Sequence, residues 1–220
     1  TEGLPDAPPG VFAAVSVGPA LTLAAAADAV ALGPGLSDDP RALSFARAVA
    51  PSVTAPLVLD ADGLNAFAGR LGDLARGAGP RVLTPHPGEA ARLLGVSVTE
   101  VQRDREGSVR EIALGARAVC LLKGAGTLIS DGVRVVRNPT GNAGMATGGS
   151  GDVLTGVIAA LAAQGVALFD AAVLGAWLHG RAGDRAAASL GEHGLIAPDL
   201  LDHLPAALVD AGSRTMGSCP

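Results

Sequence analysis

The chain has 220 residues, 49% of them hydrophobic and only 2% aromatic, with a formal net charge of −5. That length supports one substantial core. Much of the apolar content is alanine, so despite a mean hydropathy of +0.40 no apolar run reaches the ~18 residues of a membrane span, and an acidic pI without a block of Lys or Arg argues against nucleic-acid partners.

Two cysteines, Cys120 and Cys219, show no metal spacing and make neither a disulfide framework nor a zinc site; they suit a reducing, cytoplasmic setting. The sequence begins Thr1-Glu2-Gly3, without methionine or a basic apolar leader, so no targeting segment is expected and it reads as a fragment. Residues 1–10 are rich in Pro and Gly and read as a disordered lead-in. Residues 11–17 are expected to form a strand and 19–27 a short helix. Ala29-Val30-Ala31-Leu32 reads as a buried parallel strand, stopped by the turn Gly33-Pro34-Gly35.

Leu43, Ala46 and Val49 stripe a helix over 40–49, and Leu57-Val58-Leu59 is a strand that runs into Asp60 and Asp62. Carboxylates at such an edge are either turn and cap residues or polar contacts for a substrate and magnesium. Val82-Leu83-Thr84 is another strand, followed by Pro85-His86-Pro87 and a helix from about Gly88. The two prolines restrict the exit direction of His86, and Glu89 complements the helix dipole. Residues 99–116 read as one amphipathic helix exposing Glu100, Arg103, Asp104 and Arg110.

Residues 118–122 form a core strand in which Cys120 is a small hydrophobe, and the strand leads to Lys123-Gly124-Ala125-Gly126-Thr127. A lysine followed by small residues lets a cation and backbone amides approach phosphates. Residues 127–130 and 133–136 read as a hairpin around a two-residue turn, Asp131-Gly132. Residues 170–189 form a long alanine-rich helix with His179 as a packing residue, residues 195–209 follow, and 211–220 are a polar tail. There is no internal repeat and no second boundary, so 11–210 is expected to be one domain. Alternating strands and helices, with every motif at a strand's end, predict an α/β fold: an open, mostly parallel central sheet with helices on both faces.

The stretch Gly141 to Asp152 holds five glycines in twelve residues, too many for a helix or strand, and the apolar run after it has helical length. A glycine loop opening a helix presents free amides and the positive end of the dipole, a site made for phosphate. No Gly-Lys-Ser/Thr follows, so it is not a Walker loop, and no strand directly precedes it, so it is not a dinucleotide fingerprint. Asp152 has two readings: Ser150 or Asp152 caps the helix, or Asp152 is a base that deprotonates a hydroxyl while the amides hold a phosphoryl group.

Read with Leu59-Asp60-Ala61-Asp62-Gly63-Leu64-Asn65, Thr84-Pro85-His86-Pro87-Gly88-Glu89 and Lys123 to Thr127, this loop resembles the ADP/ATP-dependent NAD(P)H-hydrate dehydratase family of the ribokinase-like superfamily. The motifs occur in the family's order from about Gly33 to about Pro205. The resemblance implies phosphorylation of the hydroxyl of hydrated NADH or NADPH, then loss of phosphate. It implies Asp152 as base, Gly149 and Gly151 as anion-hole amides, and Lys123, Gly124, Ala125, Gly126, Thr127 and Gly151 around ADP or ATP. It places Gly35, His86, Asn142 and Asp152 on the substrate, and Mg2+ near Asp60 or Asp62 through water. Ser37 stands where the family usually has glycine, and nothing before Val11 resembles the family's further strand. The family also suggests a homo-oligomer and, in many members, an upstream epimerase domain. A vitamin kinase for hydroxymethylpyrimidine or hydroxyethylthiazole, or a non-catalytic nucleotide-binding module, uses the same loop and remains open.

Overall fold

The computed structural model describes residues 2–6 and 10–216, with side chains as far as 212. Six short strands form one sheet in simple sequence order: β1 (Val30–Leu32), β2 (Leu57–Leu59), β3 (Arg81–Leu83), β4 (Val119–Leu122), β5 (Leu128–Ser130) and β6 (Val135–Arg137). β1 to β4 are parallel neighbours, and β5 and β6 are each antiparallel to the strand before.

Parallel neighbours need crossovers, and crossovers of one hand that step in one direction leave their helices on one face. That face is covered by α2 (Pro40–Val49), α3 (Ala61–Asn65), α4 (Leu71–Leu74), α5 (Pro87–Leu94), α6 (Val98–Arg103) and α7 (Arg105–Ala116), after α1 (Ala14–Ala25). Leu57, Leu59, Leu83, Cys120 and Leu122 point into this layer and meet Phe45, Leu64, Leu93 and Ile112. Their strand neighbours Val58, Val82, Val119 and Leu121 point the other way, onto Leu154, Ile158, Phe169 and Ala172 of α8 (Ser150–Ala163) and α9 (Leu168–Leu190). The period of two thus builds two cores from each strand. α10 (Ala197–Met216) packs outside α8 and α9. Among the described residues, no helix is long and apolar enough to cross a membrane.

Several local expectations fail. Residues 14–17 are helical rather than extended, and Pro19 lies inside α1 instead of opening it; Ser16 Oγ accepts from Ala13 N (3.1 Å) at the true start. A Val/Ala run cannot be told from a strand by periodicity alone. β1 is an edge strand with Ala31 exposed, not a buried one. The expected helix over 99–116 is two helices, because Asp104 leaves the helical conformation and its Oδ1 accepts from Gly107 N (2.8 Å), capping α7. The hairpin connection is residues 131–134, organised by Asp131 Oδ1 accepting from Val133 N and Arg134 N. Residues 2–6 and 10 of the expected lead-in lie in neither helix nor strand. α10 continues past 211 to Met216, and Cys219 with the rest of the expected tail lies outside the described residues. Cys120 is fully buried, and desolvation pushes its thiol pKa up.

Arg117 closes α7 in a left-handed conformation (φ 50°) and is exposed. Arg117→Gly is expected to raise stability by about 0.5–1 kcal/mol, since glycine takes this position without a Cβ clash but loses more entropy on folding. Urea unfolding checks it; an unchanged or lower midpoint would show that the arginine is not strained.

Candidate active site

The strand ends converge on the start of α8. Asp60, the first residue beyond β2, is 1% exposed, and both its oxygens are engaged: Oδ1 with Lys123 Nζ at 2.7 Å and Oδ2 with Thr155 Oγ1 at 2.8 Å. Lys123 follows β4, and its backbone N donates to Pro85 O (2.8 Å), tying that strand end to the His86 turn. Its ammonium also lies 3.7 Å from Glu89 Oε2. A Cβ on Gly151 would stand 3.4 Å from Lys123 Nζ, so the bare glycine brings the first turn of α8 directly over this cation.

His86 caps α5: its Nδ1 accepts from Gly88 N (2.9 Å) and Glu89 N (3.3 Å), while Glu89 Oε2 accepts from His86 N (2.7 Å). Amides on Nδ1 leave the proton of the neutral ring on Nε2, which lies 3.4 Å from Glu89 Oε1. The prolines therefore hold a capping histidine whose Nε2 edge lies toward Glu89 and the cavity.

Gly149 adopts φ 84°, which lets the chain turn sharply into α8, and the helix start has no side-chain cap. The capping reading of Ser150 and Asp152 is thereby corrected: Ser150 is the first helical residue and its Oγ faces His179, while Asp152 is exposed and makes no side-chain hydrogen bond among the described residues. The amides of Gly149, Gly151 and Asp152 have no backbone acceptor there, as expected in a first helical turn.

The preceding loop is fixed to α9. Thr140 Oγ1 donates to Trp177 O (3.0 Å), and Asp184 accepts from Gly141 N (3.1 Å) and Asn142 Nδ2 (3.2 Å). Gly180 permits this approach, because a Cβ there would collide with Thr140. Between the loop, α9 and the strand ends lies a cavity of about 680 Å3, lined by His86, Lys123, Gly124, Ala125, Gly126, Thr127, Asn142, Ser150, Gly151 and His179, among others. A polar-edged cavity of this size at strand C-termini suits a nucleotide-sized ligand.

Not every expected residue joins it. Gly149 and Asp152 border the cavity beside Ser150 and Gly151 without lining it. Gly35 lies on a separate groove of about 440 Å3 with Phe12, Leu36 and Phe45, so it does not share a wall with His86. Gly35 and Ser37 both take left-handed backbone (φ 70° and 84°), and at 37 that conformation is imposed on a serine. Asp62 sits in α3 with Oδ1 accepting from Asn65 Nδ2 (3.0 Å), apart from the Lys123 cluster. Asp62 is engaged within its own helix and Asp60 with Lys123 and Thr155, so the two carboxylates do not gather as direct ligands of one ion. Among the described residues no three His, Cys, Asp or Glu side chains gather to hold an ion.

The family description NAD(P)H-hydrate dehydratase matches residues 11–206. The chain belongs to this family. It is 50% identical over 207 residues to a bifunctional NAD(P)H-hydrate repair enzyme of Moorella thermoacetica, covering 93% of this chain and 39% of the relative. It is 50% identical over 149 residues to an ADP-dependent (S)-NAD(P)H-hydrate dehydratase of Neisseria meningitidis serogroup B, covering 66% of this chain and 50% of that protein. The Bacillus subtilis ADP/ATP-dependent NAD(P)H-hydrate dehydratase, co-crystallized with ATP/Mg2+ and soaked with CoA, superposes with a TM-score of 0.76 at 33% identity, covering 86% of this chain and 71% of that one. The chain thus spans half or less of these two curated relatives. The sheet, with five of six strands running one way and helices on both faces, is the ribokinase-like one.

In this dehydratase-family chain, sequence reasoning missed three residues of the site. Glu89 is a buried partner of Lys123 rather than only a dipole complement, Thr155 holds Asp60, and His179 reaches Ser150 at the start of α8. Thr155 had a local signal: one residue after Leu154, it lies on the buried side of α8 near its start.

Proposed function

We propose that this chain restores NADH or NADPH from the hydrated form, with ADP or ATP as phosphoryl donor. The observation that carries the reading is the turn at 149–151. It brings the first amides of α8, which have no backbone acceptor among the described residues, close to the Lys123 ammonium at the wall of a nucleotide-sized cavity, and Asp152, exposed and without a side-chain hydrogen bond among the described residues, follows directly. In this reading Lys123 to Thr127 take the nucleotide, and Gly149 and Gly151 N–H hold the transferring phosphoryl oxygens. Asp152 accepts the proton of the ring hydroxyl as its oxygen bonds phosphorus and the nucleotide leaves. The ring nitrogen lone pair then expels phosphate, and loss of a ring proton restores the conjugated dihydropyridine.

His86 and Asn142 line the same cavity as the nucleotide loop, which supports them as contacts to the substrate; Gly35 contributes to a substrate wall only from its own groove. Magnesium enters as the nucleotide's counter-ion on its phosphates, in keeping with the ATP/Mg2+ of the Bacillus protein. The same reading includes a cytoplasmic homo-oligomer. The bifunctional Moorella relative, of which this chain spans 39%, supports a second, epimerase domain in a longer chain.

The test is direct. Hydrated NADH incubated with the chain, ADP or ATP, and magnesium is expected to regain the near-ultraviolet absorbance of NADH, with one free phosphate per cofactor restored. Hydroxymethylpyrimidine and hydroxyethylthiazole are expected to give no phosphate ester. A stable ester with unchanged hydrated cofactor makes the chain a vitamin kinase; nucleotide binding with neither product makes it a binding module.

A further inference from the structure

The turn that carries the anion-hole amides has glycines at 148, 149 and 151; Ser150 N donates to Thr147 O (3.3 Å), Val153 N to Gly149 O (3.2 Å), and Ser150, as the first residue of α8, offers its carbonyl to the helix as well. The Ser150–Gly151 peptide is the first of α8, at the end of the helix where bonding is sparsest and with a glycine on one side, yet an amide stabilises a phosphoryl oxygen only when it is aimed before the reaction begins. A second donor from outside the turn adds to that aim.

α9 grips the neighbouring chain at three points within two helical turns. Trp177 O takes Thr140, Asp184 takes Gly141 and Asn142, and His179 Nε2 lies 2.9 Å from Ser150 O and 3.3 Å from Ser150 Oγ. The first two hold the approach to the turn; only His179 touches the turn itself. Ser150 C=O and Gly151 N–H are the two ends of one planar peptide unit, so a donor fixed on that oxygen fixes the direction of that amide.

We infer that His179 is a positioning residue: its Nε2–H, donated to Ser150 O, aims the Gly151 amide at the phosphoryl group. This rests on Gly151 serving as an anion-hole donor. The ring is suited to the task, because burial first and the Lys123 charge second push its pKa down to about 4. It is a neutral donor at working pH and adds no second cation beside Lys123. His179 itself also lines the cavity, but the reacting atoms meet Gly151, through which it acts.

The experiment compares His179→Leu, which keeps bulk and removes the donor, with His179→Gln, whose amide nitrogen can donate to the same carbonyl. For the leucine variant kcat is expected to fall about 100-fold, the scale of a small misplacement in a reacting site, with the nucleotide Kd changed less than about three-fold. The glutamine variant is expected to recover most of kcat. A folded leucine variant with wild-type kcat, or equal losses in both variants, overturns the assignment. Should the leucine variant not fold, 15N-labelled wild-type protein decides: adding ADP, magnesium and aluminium fluoride is expected to shift the Gly151 amide and the His179 Nε2 signal together. A Gly151 shift with His179 unmoved, or no Gly151 shift at all, overturns it. An inactive wild type in the dehydration assay rejects the proposed function instead, and the fluoride titration still judges His179 separately.

Discussion

Asp152→Asn is expected to lower kcat by about 100- to 10,000-fold, the range for losing a general base, while leaving nucleotide affinity within a few-fold. Asp152 is exposed, its side chain makes no hydrogen bond among the described residues, and the helix start it follows is closed by Gly149 without a side-chain cap. Removing its charge therefore costs the fold little, and the amides and Lys123, proposed above as the phosphate contacts, stay in place. Steady-state kinetics of NADH recovery, with nucleotide titration of the same variant, separate the two effects. Turnover like that of the wild type would remove Asp152 from the mechanism, and a parallel loss of nucleotide binding would make it a binding residue.

Lys123→Met is expected to do the opposite, failing in stability as well as activity. It leaves Asp60 (1% exposed side chain) and Glu89 (5%) facing one another without their shared cation. Breaking a buried pair from one side typically costs about 3–5 kcal/mol. Lys123 itself keeps 19% of its side-chain exposure, and Thr155 and His86 N still donate to the two carboxylates, so the lower end of that range, about 3 kcal/mol, is expected. Urea unfolding of Lys123→Met, Asp60→Asn and the double variant forms a cycle in which the double variant is more stable than Lys123→Met alone. A single-variant loss under about 1 kcal/mol would mean that water already screens the cluster.

The failures of the sequence reading share a cause. Asp60 and Asp62 were indistinguishable as residues of one turn, yet one is the last extended residue and the other lies in the first turn of α3. That two-residue difference sends Asp60 to Lys123 and Thr155 and Asp62 to its own helix. Glu89 looked like a helix-start carboxylate, which it is, since it closes the capping box with His86. Its second role depends on β4 lying beside β3, a pairing no local pattern encodes. α1 and the break at Asp104 were lost because short apolar or amphipathic runs leave element type and continuity to packing.

By itself the sequence determined whatever depends on near neighbours along the chain. The short apolar runs from Ala29 onward became strands within a residue or two, five glycines before an apolar helix became a turn with free amides, and prolines around His86 became a capped helix start. In each, the backbone preference of a few adjacent residues decides the outcome. Only the tertiary structure decided what stands opposite what. Parallel strand pairing set Lys123 between Asp60 and Glu89, the crossing of α9 over α8 set His179 on Ser150, and the groove beside β1 kept Gly35 apart from His86. The contacts among these join residues from 29 to 63 positions apart. The long-range ones arise from burial of both faces of the sheet, which no single stretch of the chain contains.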